Sequence, residues 1–491
     1  MAFRVAQDQG DAMTAGGNGQ ASAHLAPLGG GGHRRLKSFM FLACCAAAGL
    51  APHWLAPSRA LMPAISLALL LGGYSLHAVI LQPLRRSTPT PEADPGALPP
   101  AMAAAGLPAV DVVVAARDEE AVIGRLVERL ARLRYPEGRL RLWVIDDGSE
   151  DRTPERLTEL LARFPLLQVL RRPRDAGGGK SGALNLVMQQ LQGRWLLVLD
   201  ADADLQEDVL ERLIPTAEAG GWSAVQLRKA VVNSDHNLLT RAQAMEMALD
   251  AVIQQGRLAV GGVAELRGNG QLLRRDAVQA SGGFNEDTVT DDLDLSFRLL
   301  LAGQPIGLIW DPPVQEEAVL TLAALWRQRQ RWAEGGLQRF FDYWPALLSG
   351  RLSFRQKLDL ASFFLLQYAL PVMAAADLLG SLLTGTLPTI WPFSIVALAL
   401  SGMAVISGCR RPSEGPLLPA INPLSVGLLI AYLGHWFVVI PWVTLKMALL
   451  PKRLVWAKTL HLGSEEGSLD DRLDGVDDGG DAELATEVGQ A

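Results

Sequence analysis

Apolar residues in this 491-residue chain gather into five long runs, with a stretch of ordinary soluble character between the second and the third. The runs are Phe39–Leu55, Leu61–Leu81, Leu358–Leu379, Ile390–Cys409 and Leu424–Leu450. A helix that crosses a bilayer needs about 20 mostly apolar residues. Each run is therefore read as a candidate span, and the last as two if it splits near Pro441. The chain is then expected to fold as a domain inserted between N- and C-terminal membrane helices.

Basic clusters set the orientation. His33-Arg34-Arg35-Lys37, Arg85-Arg86 and Arg351–Lys357 flank the runs, and positive charge favours the cytoplasmic side. The inserted domain is expected to face the cytoplasm in a multi-pass integral membrane protein. Three C-terminal spans would put Lys452, Arg453 and Lys458 on the opposite side, so either the last run re-enters or one candidate is interfacial. The formal charge of −7 is unevenly placed: Ser464–Ala491 holds ten acids against Arg472, a local −9, leaving the rest at +2. The concentrated basic face that nucleic acid requires is missing. Cys44, Cys45 and Cys409 lie in or beside apolar runs, which argues against a disulfide framework or a cysteine metal site.

These features divide the chain. A disordered Gly/Ala/Ser-rich lead is expected over 1–37, two membrane helices over 38–83 and a Pro/Ala-rich linker over 84–108. A soluble domain follows over 109–345, then an interfacial segment with further membrane helices over 346–460, and a solvated acidic tail over 461–491. A signal peptide is not expected, because the first apolar run begins late and a second follows.

Within the soluble stretch, Val110–Ala115, Leu140–Ile145, Leu167–Leu170 and Trp195–Leu199 read as buried parallel strands. Glu119–Leu133 and Thr153–Phe164 between them read as amphipathic helices, the second opening at Thr153-Pro154. Strand and helix in alternation imply a doubly wound α/β domain.

Carboxylates cluster where such a domain binds ligands. Leu199-Asp200-Ala201-Asp202 ends a strand, and ligands of an open α/β sheet sit at the carboxyl ends of its strands. Two carboxylates one residue apart can hold a hard divalent cation that grips a diphosphate, with Asp204 extending the pattern; a solvated acidic turn is the plainer reading. Asp146-Asp147-Gly148-Ser149 ends another strand and suits a ribose hydroxyl or a base N–H, although Asp-Gly is also an ordinary turn. In Gly177-Gly178-Gly179-Lys180 the glycines allow backbone N–H groups to approach phosphate, and Lys180 adds a point charge. It is not a nucleotide-hydrolase P-loop, since Arg174 stands where the first glycine belongs. Thr290-Asp291-Asp292-Leu293-Asp294 opens a helical run. Acids there favour the helix dipole, and Asp292 is the candidate general base. Gln328-Arg329-Gln330-Arg331-Trp332 precedes the third span and suits either an interface anchor or a diphosphate and acceptor site.

In order and spacing these motifs resemble the inverting, metal-dependent glycosyltransferases of family two. That family's short polar motif after the first strand, strand-end Asp, DxD, TED and QxxRW correspond here to Ala116-Arg117-Asp118-Glu119-Glu120, Asp146-Asp147, Asp200/Asp202, Thr290-Asp291-Asp292 and Gln328…Arg331-Trp332. The resemblance covers residues 108–345 and implies a GT-A (Rossmann-like) fold. It implies donor contacts from Ala116, Glu119, Asp147, Lys180 and Asp200, with Asp200 and Asp202 on magnesium or manganese. Asp292 would be the base, Arg331 would serve the leaving diphosphate, and Gln328 and Trp332 would line the diphosphate and acceptor side. Asp291 stands where the family usually has Glu. The longer runs Gly177–Asn185, Ala224–Val231, Arg267–Gln271, Thr288–Leu299 and Arg329–Gly336 are similar to the β-monoglucosyldiacylglycerol synthases of photosynthetic bacteria. That similarity implies UDP-glucose as donor and diacylglycerol as acceptor, at a site against the lipid bilayer.

Two other functions share parts of this pattern. A processive polysaccharide synthase has the same catalytic motifs but needs a polymer channel. A non-catalytic nucleotide-sugar sensor would have no use for Asp292.

Overall fold

The computed structural model describes residues 33–78 and 106–451. The expectations for residues 1–32 of the N-terminal lead, most of the linker with Arg85-Arg86, the cluster at Lys452, Arg453 and Lys458, and the acidic tail fall outside the described residues, whereas residues 34–37, expected within the disordered lead, open the first helix.

Seven strands form one sheet in the order β3-β2-β1-β4-β6-β5-β7. Its first half is the anticipated one: β1 (Val110–Ala116), β2 (Leu140–Asp147), β3 (Leu167–Arg172) and β4 (Trp195–Leu199). β1 runs parallel to both β2 and β4, and β2 runs parallel to β3. Every residue of β1 and β4 is buried, because helices cover both faces and a Val/Leu-rich strand then has no polar side. The second half adds β5 (Ala224–Val231), β6 (Gln271–Arg274) and β7 (Ile306–Glu316). β6 lies antiparallel between β4 and β5, so the sheet is mixed rather than wholly parallel. Four residues are too few to show an alternation in the sequence.

The N-terminal membrane segment contains α1 (Arg34–Leu50) and α2 (Met62–Leu76). In the domain come α3 (Ile123–Leu130), α4 (Thr153–Arg163), α5 (Gly179–Met188), α6 (Val209–Ala219), α7 (Leu238–Ala259), α8 (Arg275–Ala280), α9 (Asp291–Leu301) and α10 (Leu322–Leu348). After it come α11 (Phe354–Phe364), α12 (Leu370–Thr384), α13 (Trp391–Arg410), α14 (Pro423–Leu433) and α15 (Trp436–Leu449). α3 starts later than Glu119 because the residues before it are tied to the β2–α4 turn. The N–H groups of Asp118, Glu119 and Glu120 donate to Ser149 Oγ, Thr153 Oγ1 and Asp151 Oδ2 (2.9, 2.8 and 3.0 Å).

Among the described residues, four helical stretches are long and apolar enough to cross a membrane: Arg34–Trp54, Phe354–Thr384, Trp391–Arg410 and Pro423–Leu449. Met62–Leu76 is apolar but shorter, and the rest of that run passes beyond the described residues. The last stretch breaks at Gly434-His435, while Pro441 stays inside α15. The membrane helices share a core with the domain, in which Phe297 and Leu300 of α9 and Leu337 and Phe340 of α10 meet Met373, Val439 and Val443.

Candidate active site

At the carboxyl ends of β1 and β4 the sheet opens into a cavity of about 1150 Å³, the place where such sheets bind ligands. β4 stops at Leu199, and Asp200 and Asp202 follow, both facing this space. The Asp200 N–H donates to Asn269 Oδ1 (3.1 Å), and its carboxylate pairs with Lys180. Asp202 is 9% exposed, and its Oδ2 accepts from the Glu317 N–H (3.2 Å). Asp204 does not join them: its backbone bridges Gln315, and its carboxylate pairs with Arg129. No group of three His, Cys, Asp or Glu forms a closed metal site among the described residues. The two strand-end carboxylates are hard oxygen donors, suited to a cation that takes its remaining ligands from a diphosphate.

The glycine run is a close-packed turn. Gly177, Gly178 and Gly179 have φ of 71°, 68° and 52°, and a Cβ on Gly178 would stand 2.3 Å from Glu286 Oε2. Arg172 holds the turn from behind, donating to the carbonyls of Gly179 (3.0 Å) and Gly177 (2.5 Å). This leaves Lys180, in the first turn of α5, directed at Asp200. Burial works against its ammonium, but Asp200, Asp291 and Asp292 outweigh that and hold Lys180 above its ordinary range.

The same Arg172 pairs with Asp147 (2.8 Å), and Arg117 stands 3.7 Å from the other carboxylate oxygen. Asp147 is thus a buried brace for the glycine turn. Burial pushes its carboxyl up against the pull of both arginines. Neither Asp147 nor the fully buried Ala116 is among the residues lining the cavity, whereas Arg117, Asp118 and Glu119 are.

Across the cavity Thr290 stands at the N-cap position of α9 without a side-chain capping bond, and Asp291 and Asp292 follow at the positive end of the helix. Burial, then the charge of Asp291, push Asp292 up to about 6, while the Leu293 N–H, Lys180 and Lys229 pull it down. Gly268, at φ 87°, passes close by: a Cβ there would stand 3.5 Å from Asp292 Oδ2. Gln226 fixes this loop, accepting from the Arg267 N–H and donating to the Asn269 carbonyl (both 2.7 Å).

Gln328, Arg331 and Trp332 occupy positions i, i+3 and i+4 of α10, hence one face, and all three line the cavity. Arg329 pairs with Glu246, and its guanidinium lies 3.9 Å from the centre of the Trp332 ring. Burial lowers Arg331 from its ordinary range, with Asp200 acting the other way. Lys229 also faces the site from β5, paired with Glu316 (3.0 Å). It was absent from the expected set. The signal was there, in two adjacent cations, Arg228 and Lys229, inside a mostly apolar strand.

Beyond Trp332 the cavity continues among the membrane helices, where Phe363, Leu366, Leu370, Ala397, Leu433 and Phe437 line it. One space therefore joins the charged sheet edge to an apolar chamber.

Comparison with known proteins identifies the family. Residues 108–335 match the model of the glycosyltransferase like family 2. The chain is 46% identical to a β-monoglucosyldiacylglycerol synthase of Synechocystis sp. over 80% of its own length and 83% of the relative's. It is 44% identical to a protein of the same name from Trichormus variabilis, over 73% and 78%. Among solved structures it is similar to the mannosyltransferase PcManGT from Pyrobaculum calidifontis, crystallised with GDP-Man and Mn2+. That likeness has a TM-score of 0.53 at 20% identity and covers 79% of this chain and 98% of the other. With a strand-end acid pair, acids in the first turn of α9 and a Gln-Arg-Trp face around one cavity, and relatives matched over most of their length, the chain belongs to the family 2 glycosyltransferases.

Proposed function

We propose that the chain transfers glucose from UDP-glucose to the free hydroxyl of 1,2-diacylglycerol, with inversion, giving β-monoglucosyldiacylglycerol. The observation that carries this reading is the continuity of the cavity. An acidic and cationic end suits a nucleotide diphosphate, and an apolar end between membrane helices suits acyl chains. The relatives' names point to the same donor and acceptor classes. A polymer-extruding synthase would instead need a hydrophilic path past these helices.

In this reading Arg117, Asp118 and Glu119 border the nucleotide, and Lys180 and Arg331 face the diphosphate. Asp200 and Asp202 would hold a divalent cation, magnesium in preference to manganese, which supplies charge neutralisation to the departing diphosphate. Asp292, mostly ionised at neutral pH, takes the proton of the acceptor hydroxyl as that oxygen attacks the anomeric carbon. The bond from that carbon to the β-phosphate oxygen breaks, and UDP leaves with its new charge facing Arg331 and Lys180. Trp332 separates the reacting centre from the apolar chamber. The basic clusters at both membrane boundaries support a cytoplasmic position for the domain, in a multi-pass protein.

The test is incubation of membranes carrying the protein with labelled UDP-glucose, Mg2+ and diacylglycerol, followed by resolution of the lipid extract. A discrete β-glucosyl lipid is expected. Label held in polymer, with none in lipid, would overturn the proposal in favour of a processive synthase.

A further inference from the structure

The membrane end of the cavity is also lined by polar side chains that the chemistry above does not use, among them Gln367, Tyr368, Ser401 and Lys446. Between α11 and α12 the span passes through a wide π turn, Leu365–Ala369, which ends two residues before Pro371. A proline inside a helix crowds the carbonyl four residues back, and a widened turn relieves that crowding. Single π turns recur at functional sites. Here the turn presents Gln367 to the cavity beside Leu366, Leu370 and Pro371. Its side-chain amide makes no hydrogen bond to any described residue. Gln367 is half-buried, so its amide is open to the cavity, and an amide in apolar surroundings favours a ligand that satisfies it.

Two adjacent glycines of α10 place this turn next to the base. A Cβ on Gly335 would stand 2.2 Å from Thr290 Oγ1, in the cap of the helix that carries Asp292. A Cβ on Gly336 would stand 2.0 Å from the hydroxyl of Tyr368, the neighbour of Gln367. Trp332 and Gly336 are one helical turn apart on the same face, about 6 Å along the axis. The start of the helix that carries the base, the Trp332 ring and the turn that carries Gln367 therefore border one stretch of α10. In a diacylglycerol the free hydroxyl and the nearest ester carbonyl are likewise a few bonds apart, with the acyl chains beyond.

We propose that the Gln367 side-chain amide donates a hydrogen bond to an acyl ester carbonyl of the glycerolipid acceptor, so that this position selects ester-linked lipid. The inference rests on diacylglycerol being the acceptor. The test compares initial rates of the full-length protein in vesicles, with UDP-glucose and Mg2+, on dioleoylglycerol and on its ether-linked analogue, which lacks both carbonyls. The wild-type protein is expected to favour the ester lipid about tenfold in kcat/KM, the scale of one hydrogen bond, with the difference in KM. In Gln367→Leu the ester-to-ether ratio should fall toward one while UDP affinity holds, which also reports an intact fold. A wild-type ratio of one, measurable whether or not the variant folds, overturns the inference, as does a Leu variant that keeps the preference. Lipid product without ester preference removes this inference alone, whereas label found only in polymer removes the acceptor reading beneath it.

Discussion

In the proposed mechanism Asp292 is the residue on which the chemistry turns, and its surroundings give two expected outcomes. Asp292→Asn keeps the shape and removes the proton acceptor, so turnover should fall at least about a hundredfold, the scale of a general base. UDP affinity, measured by titration calorimetry, should persist. A parallel loss of binding would give Asp292 a binding role instead. The second outcome concerns pH. The base works ionised, and its carboxyl is raised to about 6. Hence kcat/KM should be flat above that value and fall about tenfold per unit below it. The Asp291 charge is one cause of the elevation, so Asp291→Asn should move the acid limb to lower pH. A limb that stays in place would assign it to another group. These acids were legible in the sequence because each sits at the end of an element whose period could be read. Asp147 was legible as a strand-end acid, but its partner was not. Arg172 reaches it from the neighbouring strand (2.8 Å), a contact that only the register of β2 against β3 creates.

At the scale of elements, α10 and the loops around the sheet do most of the positioning. Glycine inside a helix costs about 1 kcal/mol relative to alanine, and α10 carries two in succession because Thr290 and Tyr368 occupy the space their side chains would take. Gly335→Ala should therefore destabilise the protein by about 1–3 kcal/mol, the range for overpacking. It should also slow turnover by displacing the cap of α9. Gly124→Ala on α3, where a Cβ would meet nothing within 4 Å, should be neutral or stabilising. Thermal unfolding in detergent compares the two, and equal midpoints would contradict the packing argument. The legible elements were the ones with a strong period or a long apolar run, namely β1 to β4, α4 and the spans. The antiparallel β6 and the late start of α3 were not legible, since both depend on contacts with residues far along the chain. A break in the last span, were there one, was placed near Pro441. It falls at Gly434-His435 instead, and α15 keeps the proline within its helix.

The molecule as a whole depends on buried charge to join its soluble and membrane parts. Asp359 of α11 is 1% exposed and binds Arg257 of α7 through both oxygens (3.0 and 3.1 Å to Nε). It also accepts from the Val263 N–H (3.0 Å) and from the hydroxyl of Tyr74 on α2 (3.3 Å). One carboxylate thus gathers an N-terminal membrane helix, the α/β domain and a C-terminal membrane helix. Asp359→Ala would leave Arg257, 3% exposed, with Glu265 at 3.5 Å as its remaining acid. Breaking a buried pair costs about 3–5 kcal/mol; the lower end is expected here because Glu265 remains. Arg212–Glu414 supplies the control, with similar two-pronged geometry (2.6 and 2.7 Å) but side chains 30% and 38% exposed. Solvent screening limits such a pair to about 0–1 kcal/mol, so Glu414→Ala should barely change the unfolding midpoint. If both variants unfold with the wild type, the domain and the membrane helices are energetically independent. If Asp359→Ala alone unfolds early and releases UDP in the same transition, the nucleotide site and the membrane chamber belong to one cooperative unit. A cavity that must hold a soluble donor and a lipid acceptor in register requires that coupling.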